Sequence, residues 1–538
     1  MQQIVAGLII AFICTVTYYL WPFKEKPPVV PIVNINIFNY QDGLNQAPIA
    51  KVRKLFEDGR THLAKKQFDL AIEKFTLAIQ LETDHKKLGA LNLQIGICHS
   101  EQHRFLKAAE FYSAALRESR QANDKEGQAS ALGNLANTYL FRPALDGTIK
   151  GKNIIQAVKY YNESLQIFTK DEYPIQYATA QHGLGLAYTD LPAETSHQRA
   201  ENVRKAIECY KAALEIYKKD EYPIQYATIQ NGLGNAYKYL PAETSQQRAD
   251  NVRKAIEYFK SALEICKKDE YSIEYAMTQI NLGAAYNDLP AKTLQQRADN
   301  VQKSIECYKA ALGIYKKDEY PIEYATIQNN LGISYIDLPA ETPQQRADNI
   351  RKAIEYHEAA LEIRKKDEYP IDYAMTQNNL GTAYKNLPAE TPQQRAENIR
   401  KVIEYYKAAL EIYKKDEYPI LYAMAQDNLG CAYQELPAET PQQRAENVRK
   451  AIEYHKAALE IFKKDEYPID YAMAQDNLGC AYQKLLAETP QQRAENVRKA
   501  IECHKAALEI YKDEYPIEYA TTQNNLRAAY TYLPAEGN

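Results

Sequence analysis

The chain carries almost no charge imbalance. Lysine and arginine number 66 against 70 aspartate and glutamate, a net charge of −4, with both signs alternating along the sequence. That excludes the basic footprint of a nucleic-acid-binding protein. Cysteine is sparse too: eight residues, no Cys-x-x-Cys pair and no disulfide framework. Cys209, Cys307 and Cys503 stand at one recurring position that Tyr258 and Tyr356 fill elsewhere, and Cys431 and Cys480 share another with Thr382 and Ala284. They read as interchangeable side chains in reduced surroundings. Catalytic signatures are missing altogether: there is no P-loop, no Gly-x-Ser-x-Gly and no His-Glu-x-x-His. The expectation is a protein that is not an enzyme and needs no cofactor and no metal. Cys98, His99 and His103 come nearest to a metal cluster, but His99 occupies a position where other copies carry tyrosine.

Only one long apolar run is present. Ile4–Trp21 holds 18 uncharged residues, about 27 Å as a helix, which matches a bilayer core. Tyr18, Tyr19 and Trp21 would sit at one interface, and Lys24 and Lys26 follow where no Lys or Arg precedes. The reading is a transmembrane anchor in 1–21, a Pro-containing linker in 22–50, and the remainder, 51–538, facing the cytoplasm. The alternative is a cleaved signal peptide and a secreted or periplasmic protein. Within the linker, Val33–Ile37 alternates as a short strand does.

What fills 51–538 is a period. Asp-Glu-Tyr-(Pro/Ser)-Ile recurs with its tyrosine at Tyr173, Tyr222, Tyr271, Tyr320, Tyr369, Tyr418, Tyr467 and Tyr515, spaced by 49 residues six times and then by 48. A fixed period of this size marks a stacked repeat array, not a globule with one core. Each copy holds a small residue at a first slot (Gly332, Gly381, Gly430) and another at a second (Ala360, Ala409, Ala458), with large residues between. Small residues let two helices approach, and large ones fill the groove. Thr342-Pro343-Gln344-Gln345 reads as a capping box with a proline start, repeated from Thr391, Thr440 and Thr489. The second helix of that copy should therefore begin near Pro343 and run to about Lys366. Pro370 should open the next first helix.

Leu380, Gly381 and Tyr384 followed by Val402, Tyr406 and Ala409 resemble the tetratricopeptide repeat, over residues 52–533. The wording is similar to bacterial long-repeat arrays linked to caspase-like, nucleotide-binding or TIR effector domains; no residues remain here for such a domain. The resemblance implies an all-α fold: a right-handed α-solenoid of about ten stacked helix hairpins with a C-terminal capping helix from Pro516 to Leu533. That last helix carries Arg527 where the others carry glycine.

Numbering the first small slot as position 8, position 6 is Asn134, Asn281, Asn330, Asn379, Asn428, Asn477 and Asn525, and position 5 includes Asn329, Asn378, Asp427, Asp476 and Asn524. In tetratricopeptide arrays the first helix lines the concave face, and an amide there offers both a donor and an acceptor to an extended peptide. These residues are the candidate peptide-binding set. The competing reading is a ladder between adjacent helices. A clamp for a C-terminal carboxylate is not expected, because position 2 holds Thr326, Met375 and Met424 in place of basic residues. His357, His455 and His504 fall in an aromatic slot shared with Tyr308 and Phe259. The expected function is a membrane-anchored scaffold binding protein or peptide segments. The alternative is the sensor or regulatory arm of a bacterial defence, cell-death or signalling system whose effector is a separate chain.

Overall fold

Proline starts and threonine caps recur at fixed spacing, and the helices begin where they fall. The computed structural model describes residues 47–143, 147–193, 195–242, 244–512 and 515–532. The described residues form 21 helices, from Ala47–Ala64 to Pro516–Thr531, and contain no strand. They pair as ten hairpins of a helix A and a helix B, followed by one more helix A.

The hairpin Pro370–Asn386 and Pro392–Leu410 shows how sequence sets these bounds. Tyr369 (φ −134°, ψ 60°) stands outside the helical region, which the residue before a proline avoids, and Pro370 opens helix A. Thr391 accepts from the Gln394 N–H, the Gln394 side chain accepts in return from the Thr391 N–H, and Pro392 supplies the first helical φ. The same reciprocal box stands at Thr342 and Thr440. Helix B ends earlier than the sequence suggests, at Leu361 in the copy from Pro343 and not near Lys366. Arg364 still donates its N–H to Ala360, but the chain then turns so that Tyr369 N–H meets the Lys365 carbonyl and the next helix can begin.

The small slots do what close packing requires. A Cβ on Gly381 would lie 2.7 Å from Cε1 of Tyr406, and one on Gly332 would lie 2.5 Å from His357. Glycine thus lets the aromatic ring of helix B lie flat on helix A. Helix A is enclosed on nearly every side: in Pro321–Asp337 residues 325–329 and 331–336 are all buried. Helix B buries a single stripe, which in Pro343–Leu361 is Ala347, Ile350, Ala353, Ile354, His357 and Ala360. Some of the tyrosines pair between the helices of one hairpin. Tyr335–Tyr356, Tyr384–Tyr405 and Tyr433–Tyr454 each stack at 5.4 Å between ring centroids, with Lys352, Lys401 and Lys450 over the first ring of each pair.

The chain divides into two compact units, one holding the described residues up to Pro241 with Lys254–Glu270, the other Ala242–Arg253 with Tyr271 onward. In the first, apolar clusters follow one another from Val52, Phe56 and Phe75 to Ile229 and Leu233. In the second they run from Ile280, Ile305 and Leu331 to Val497 and Ala529. Neither unit has a single centre, as a stack of hairpins cannot. Exposed ion pairs bridge neighbouring repeats at a constant spacing, Lys317–Glu362 at 2.5 Å and Lys415–Glu460 at 2.5 Å among them. Solvent screening leaves each of these worth little.

The membrane assignment is corrected. No helix among the described residues is long and apolar enough to cross a membrane, which removes the support for a single-pass protein with cytoplasmic repeats. Helix B carries Lys, Glu and Arg on its outer face and helix A packs against other helices of the array, so neither offers an apolar surface all round to lipid. The run Ile4–Trp21 itself, the strand expected at Val33–Ile37 and the linker up to residue 46 lie outside the described residues, whereas residues 47–50, expected in the linker, open the first helix, Ala47–Ala64.

Candidate functional site

Within each unit the A helices of neighbouring hairpins adjoin, which brings positions 5 and 6 of successive repeats together. Asn379 Nδ2 donates to Asn329 Oδ1 at 3.1 Å, and Asn428 Nδ2 to Asn378 Oδ1 at 3.4 Å. Asn477 Nδ2 donates to Asp427 Oδ2 at 2.9 Å, and Asn525 Nδ2 to Asp476 Oδ2 at 3.1 Å. In these four repeats the position-6 nitrogen is therefore engaged in a rung between repeats. Its oxygen is not: none of Asn379, Asn428, Asn477 or Asn525 has a hydrogen bond to Oδ1 among the described residues. Asn329, Asn378, Asn379, Asp427 and Asn428 are buried; Asn281, Asn330, Asn477, Asp476 and Asn525 are half-buried, and Asn524 is exposed. Asn134 stands apart, its amide turned onto the Ser130 carbonyl of its own helix at 2.9 Å.

The histidines occupy the aromatic slot and also join the rungs. His455 Nδ1 lies 2.6 Å from Asp427 Oδ1, and His504 Nδ1 lies 2.7 Å from Asp476 Oδ1. On the other side Gln434 Nε2 is 2.9 Å from His455 Nε2 and donates to the Asn477 carbonyl at 3.0 Å. Gln483 repeats this with His504 and Asn525. The glutamine amide supplies only donors there, so the imidazole Nε2 accepts and Nδ1–H donates to the carboxylate. Each unit of this network ties one hairpin's helix B to its own helix A and to the next. His357 is the variant: it meets Asn329 Oδ1 at 3.1 Å, its Nε2 has no partner, and burial, with Arg364 nearby, pulls it down to about 3.

Arg364 is the residue that pattern reading did not single out. It fills a slot that Tyr315 and Tyr413 hold in neighbouring repeats. Only 2 % exposed, it donates to Thr326 and Thr376 at 2.9 Å and lies 3.5 Å from Asp372. A row of glutamines one residue before position 5 also escaped notice: the Oε1 atoms of Gln230, Gln328, Gln377 and Gln426 are buried without a hydrogen-bond partner. Both features are legible as positions, since Arg breaks an aromatic column and Gln recurs every repeat, but periodicity assigns them no partner.

Burial sets one further property. Asp470, packed against buried surface and near Asp427, is pushed up to about 6. A carboxyl raised above its ordinary value contributes stability that is complete below about pH 4 and is lost as the pH rises through 6. Asp470→Asn is therefore expected to stabilise the protein at pH 7 by about 1–2 kcal/mol and to flatten its stability between pH 4 and 6. Chemical denaturation at pH 5 and pH 7 measures this; parallel shifts of variant and parent would reject it.

Burial also holds the thiols of Cys98, Cys209, Cys431, Cys480 and Cys503 up at about 12, far from nucleophiles. No group of three or more His, Cys, Asp or Glu able to hold a metal occurs among the described residues.

No protein-family pattern matches the sequence, and no curated protein is similar to it. Solved structures do match. The apo form of RapI aligns at 15% identity over 80% of this chain and 99% of its own, with a TM-score of 0.51. Yeast Tom70 aligns at 16% over 90% and 96% (TM-score 0.36), and the Cut9–Hcn1 hetero-tetramer of the APC/C at 14% over 90% and 98% (TM-score 0.38). At such identity RapI speaks to the fold alone. With the filled small slots and the paired helices, the chain is an all-α solenoid of tetratricopeptide-type hairpins.

Proposed function

We propose that the protein is a binding scaffold, not a catalyst, and that it takes an extended protein or peptide segment along the stripe where helix A follows helix A. The observation that carries this is the half-engaged amide. At Asn379, Asn428, Asn477 and Asn525 the nitrogen belongs to the inter-repeat rung while the oxygen keeps an acceptor, one per repeat at constant phase. Asn281, Asn330 and the position-5 residues Asn329, Asn378, Asp427, Asp476 and Asn524 frame the same stripe. Backbone N–H groups of an extended segment recur along it and meet such acceptors without regard to sequence.

Each such bond contributes about 0.5–1.5 kcal/mol net, so single Asn→Ala changes should be mild and the triple change at Asn379, Asn428 and Asn477 severe. The triple variant also loses three rungs, so its folding must be checked by circular dichroism at the assay temperature. Proteins retained by the full chain are identified by mass spectrometry, and each is then tested for direct binding. Undiminished direct binding to the folded triple variant would remove the stripe as the docking surface.

A further inference from the structure

A second surface lies at the edge of the array, where the inserted residues join helix A to helix B. Near the start of helix B each repeat from Arg199 onward carries an arginine. Its Nη1 donates to a carbonyl that ends the preceding helix A: Arg297 to Asn287 at 2.5 Å, Arg346 to Ile336 at 2.5 Å, Arg395 to Lys385 at 2.8 Å. Its Nη2 reaches the last turn of the next hairpin's helix A, and there the repeats differ. Arg297 meets Asp337 at 2.5 Å, Arg395 meets Glu435, and Arg248 lies 3.9 Å from Asp288. Arg346 meets only an amide oxygen, that of Asn386 at 3.3 Å.

Asp337 also lies near Arg346 but is bonded to Arg297. Arg346 opens onto a cleft of about 550 Å³, lined also by Lys385, Asn386, Pro388, Glu390 and Arg395. Three cations thus face one carboxylate on the lining, and two of them, Lys385 and Arg395, share Glu435 behind it. The neighbouring repeats show what this geometry accepts. With Nη1 fixed on a carbonyl, Nη2 receives a carboxylate oxygen, from aspartate or from glutamate alike.

We propose that the Arg346–Asn386 cleft takes a side-chain carboxylate from an acidic segment of a partner protein, which supplies from outside the charge that Asp337 and Glu435 supply within the chain. The site is separate from the asparagine stripe, and its test does not depend on that stripe. Farther along the edge the residue 40 positions after Arg444 is Lys484 and not an acid, and its Nζ donates to Gln434 Oε1 at 3.2 Å, so a longer acidic segment gains a second cationic contact there.

The probe is fluorescein-labelled hexaglutamate, with hexaglutamine as the neutral control, titrated with the full chain at low salt and read by fluorescence anisotropy. Hexaglutamate should bind and hexaglutamine should not. Asn386→Asp installs the missing carboxylate in the form the neighbouring repeats already fold with, and should weaken hexaglutamate binding by about tenfold. Lys484→Glu in that background should remove most of what remains. Arg346→Gln removes the cation of the same contact and should weaken binding at least as much. Equal affinity of folded Asn386→Asp and the parent overturns the proposal, and so does equal binding of hexaglutamine. Displacement by inorganic phosphate at concentrations where acetate has no effect would make this a phosphate site and overturn the carboxylate assignment.

Discussion

Gly381→Leu should cost more stability than deleting an entire repeat. The Gly381 Cα faces the ring of Tyr406, and a Cβ would sit 2.7 and 2.9 Å from two of its carbons. Tyr406 is 1 % exposed and packed among Ile399, Val402, Leu429 and Ala432, so the ring has nowhere to swing. Leucine adds three more carbons beyond that Cβ, and the two helices must separate. Overpacking of this kind costs about 1–3 kcal/mol where the site can yield, and about 3 kcal/mol or more is expected where a rigid ring blocks it. Removing residues 325–373 takes out 49 residues and joins Tyr324 to Ala374, equivalent points of the period. Arrays of this kind hold together by repeat terms and neighbour interfaces, so the shortened chain loses one of each and keeps the rest. Urea unfolding followed by circular dichroism compares the two. A deletion that unfolds the protein alongside a harmless Gly381→Leu would mean that the hairpin register is wrong.

The parts of this molecule that were readable in the sequence are those fixed by local chemistry or by strict repetition. Thr391, Pro392 and Gln394 announce a helix start because capping is a matter of four residues. Gly381 announces a close approach because only a missing side chain permits it. Arg527, at the same position in the last described helix, is exposed where those glycines lie under rings. The end of helix B at Leu361 was less legible, since Glu362 to Lys366 are good helix formers and the turn is imposed by the next hairpin. The candidate site was legible as a row of amides, but not as rungs. Position 5 of one repeat and position 6 of the next are about 50 residues apart, and which atoms meet depends on how closely helices A approach. One clue was available inside the single sequence. Where the aromatic slot is His455 or His504, position 5 is Asp427 or Asp476 and a glutamine, Gln434 or Gln483, stands where Lys385 stands beside Tyr406. In those two repeats the imidazole thereby finds an acceptor on one nitrogen and a donor on the other, whereas His357, with Asn329 and Ile336 at the same positions, leaves its Nε2 unpartnered.

Asp427 is where that coupling should show its size. Its two oxygens serve two helices: Oδ1 faces His455 Nδ1 at 2.6 Å and Oδ2 accepts from Asn477 at 2.9 Å. Both Asp427 and His455 are buried, and His455 lies in addition against Gly430. Asp427→Ala removes both acceptors at once and leaves an imidazole N–H and an amide N–H in a space too tight for easy rearrangement. A loss of about 2–5 kcal/mol is expected, the cost of leaving two neutral donors without their acceptor. Asp427→Asn should behave very differently, because the hairpin two repeats earlier already uses an asparagine at this position. There Asn329 Oδ1 alone accepts from both His357 and Asn379, each at 3.1 Å. That arrangement leaves Asn329 Nδ2 buried without a partner, so the cost of Asp427→Asn should be about 1–2 kcal/mol for one orphaned donor. The nitrogen resonances of His455 give a readout apart from stability. In the parent and in Asp427→Asn the Nδ1–H should stay protected and Nε2 should remain the acceptor of Gln434, whereas Asp427→Ala should expose Nδ1–H to exchange. Equal losses for the alanine and asparagine variants would mean that the carboxylate acts through its charge and not as a two-sided acceptor. A loss below about 1 kcal/mol for alanine would mean that the rungs follow the packing of the helices and do not help to set it.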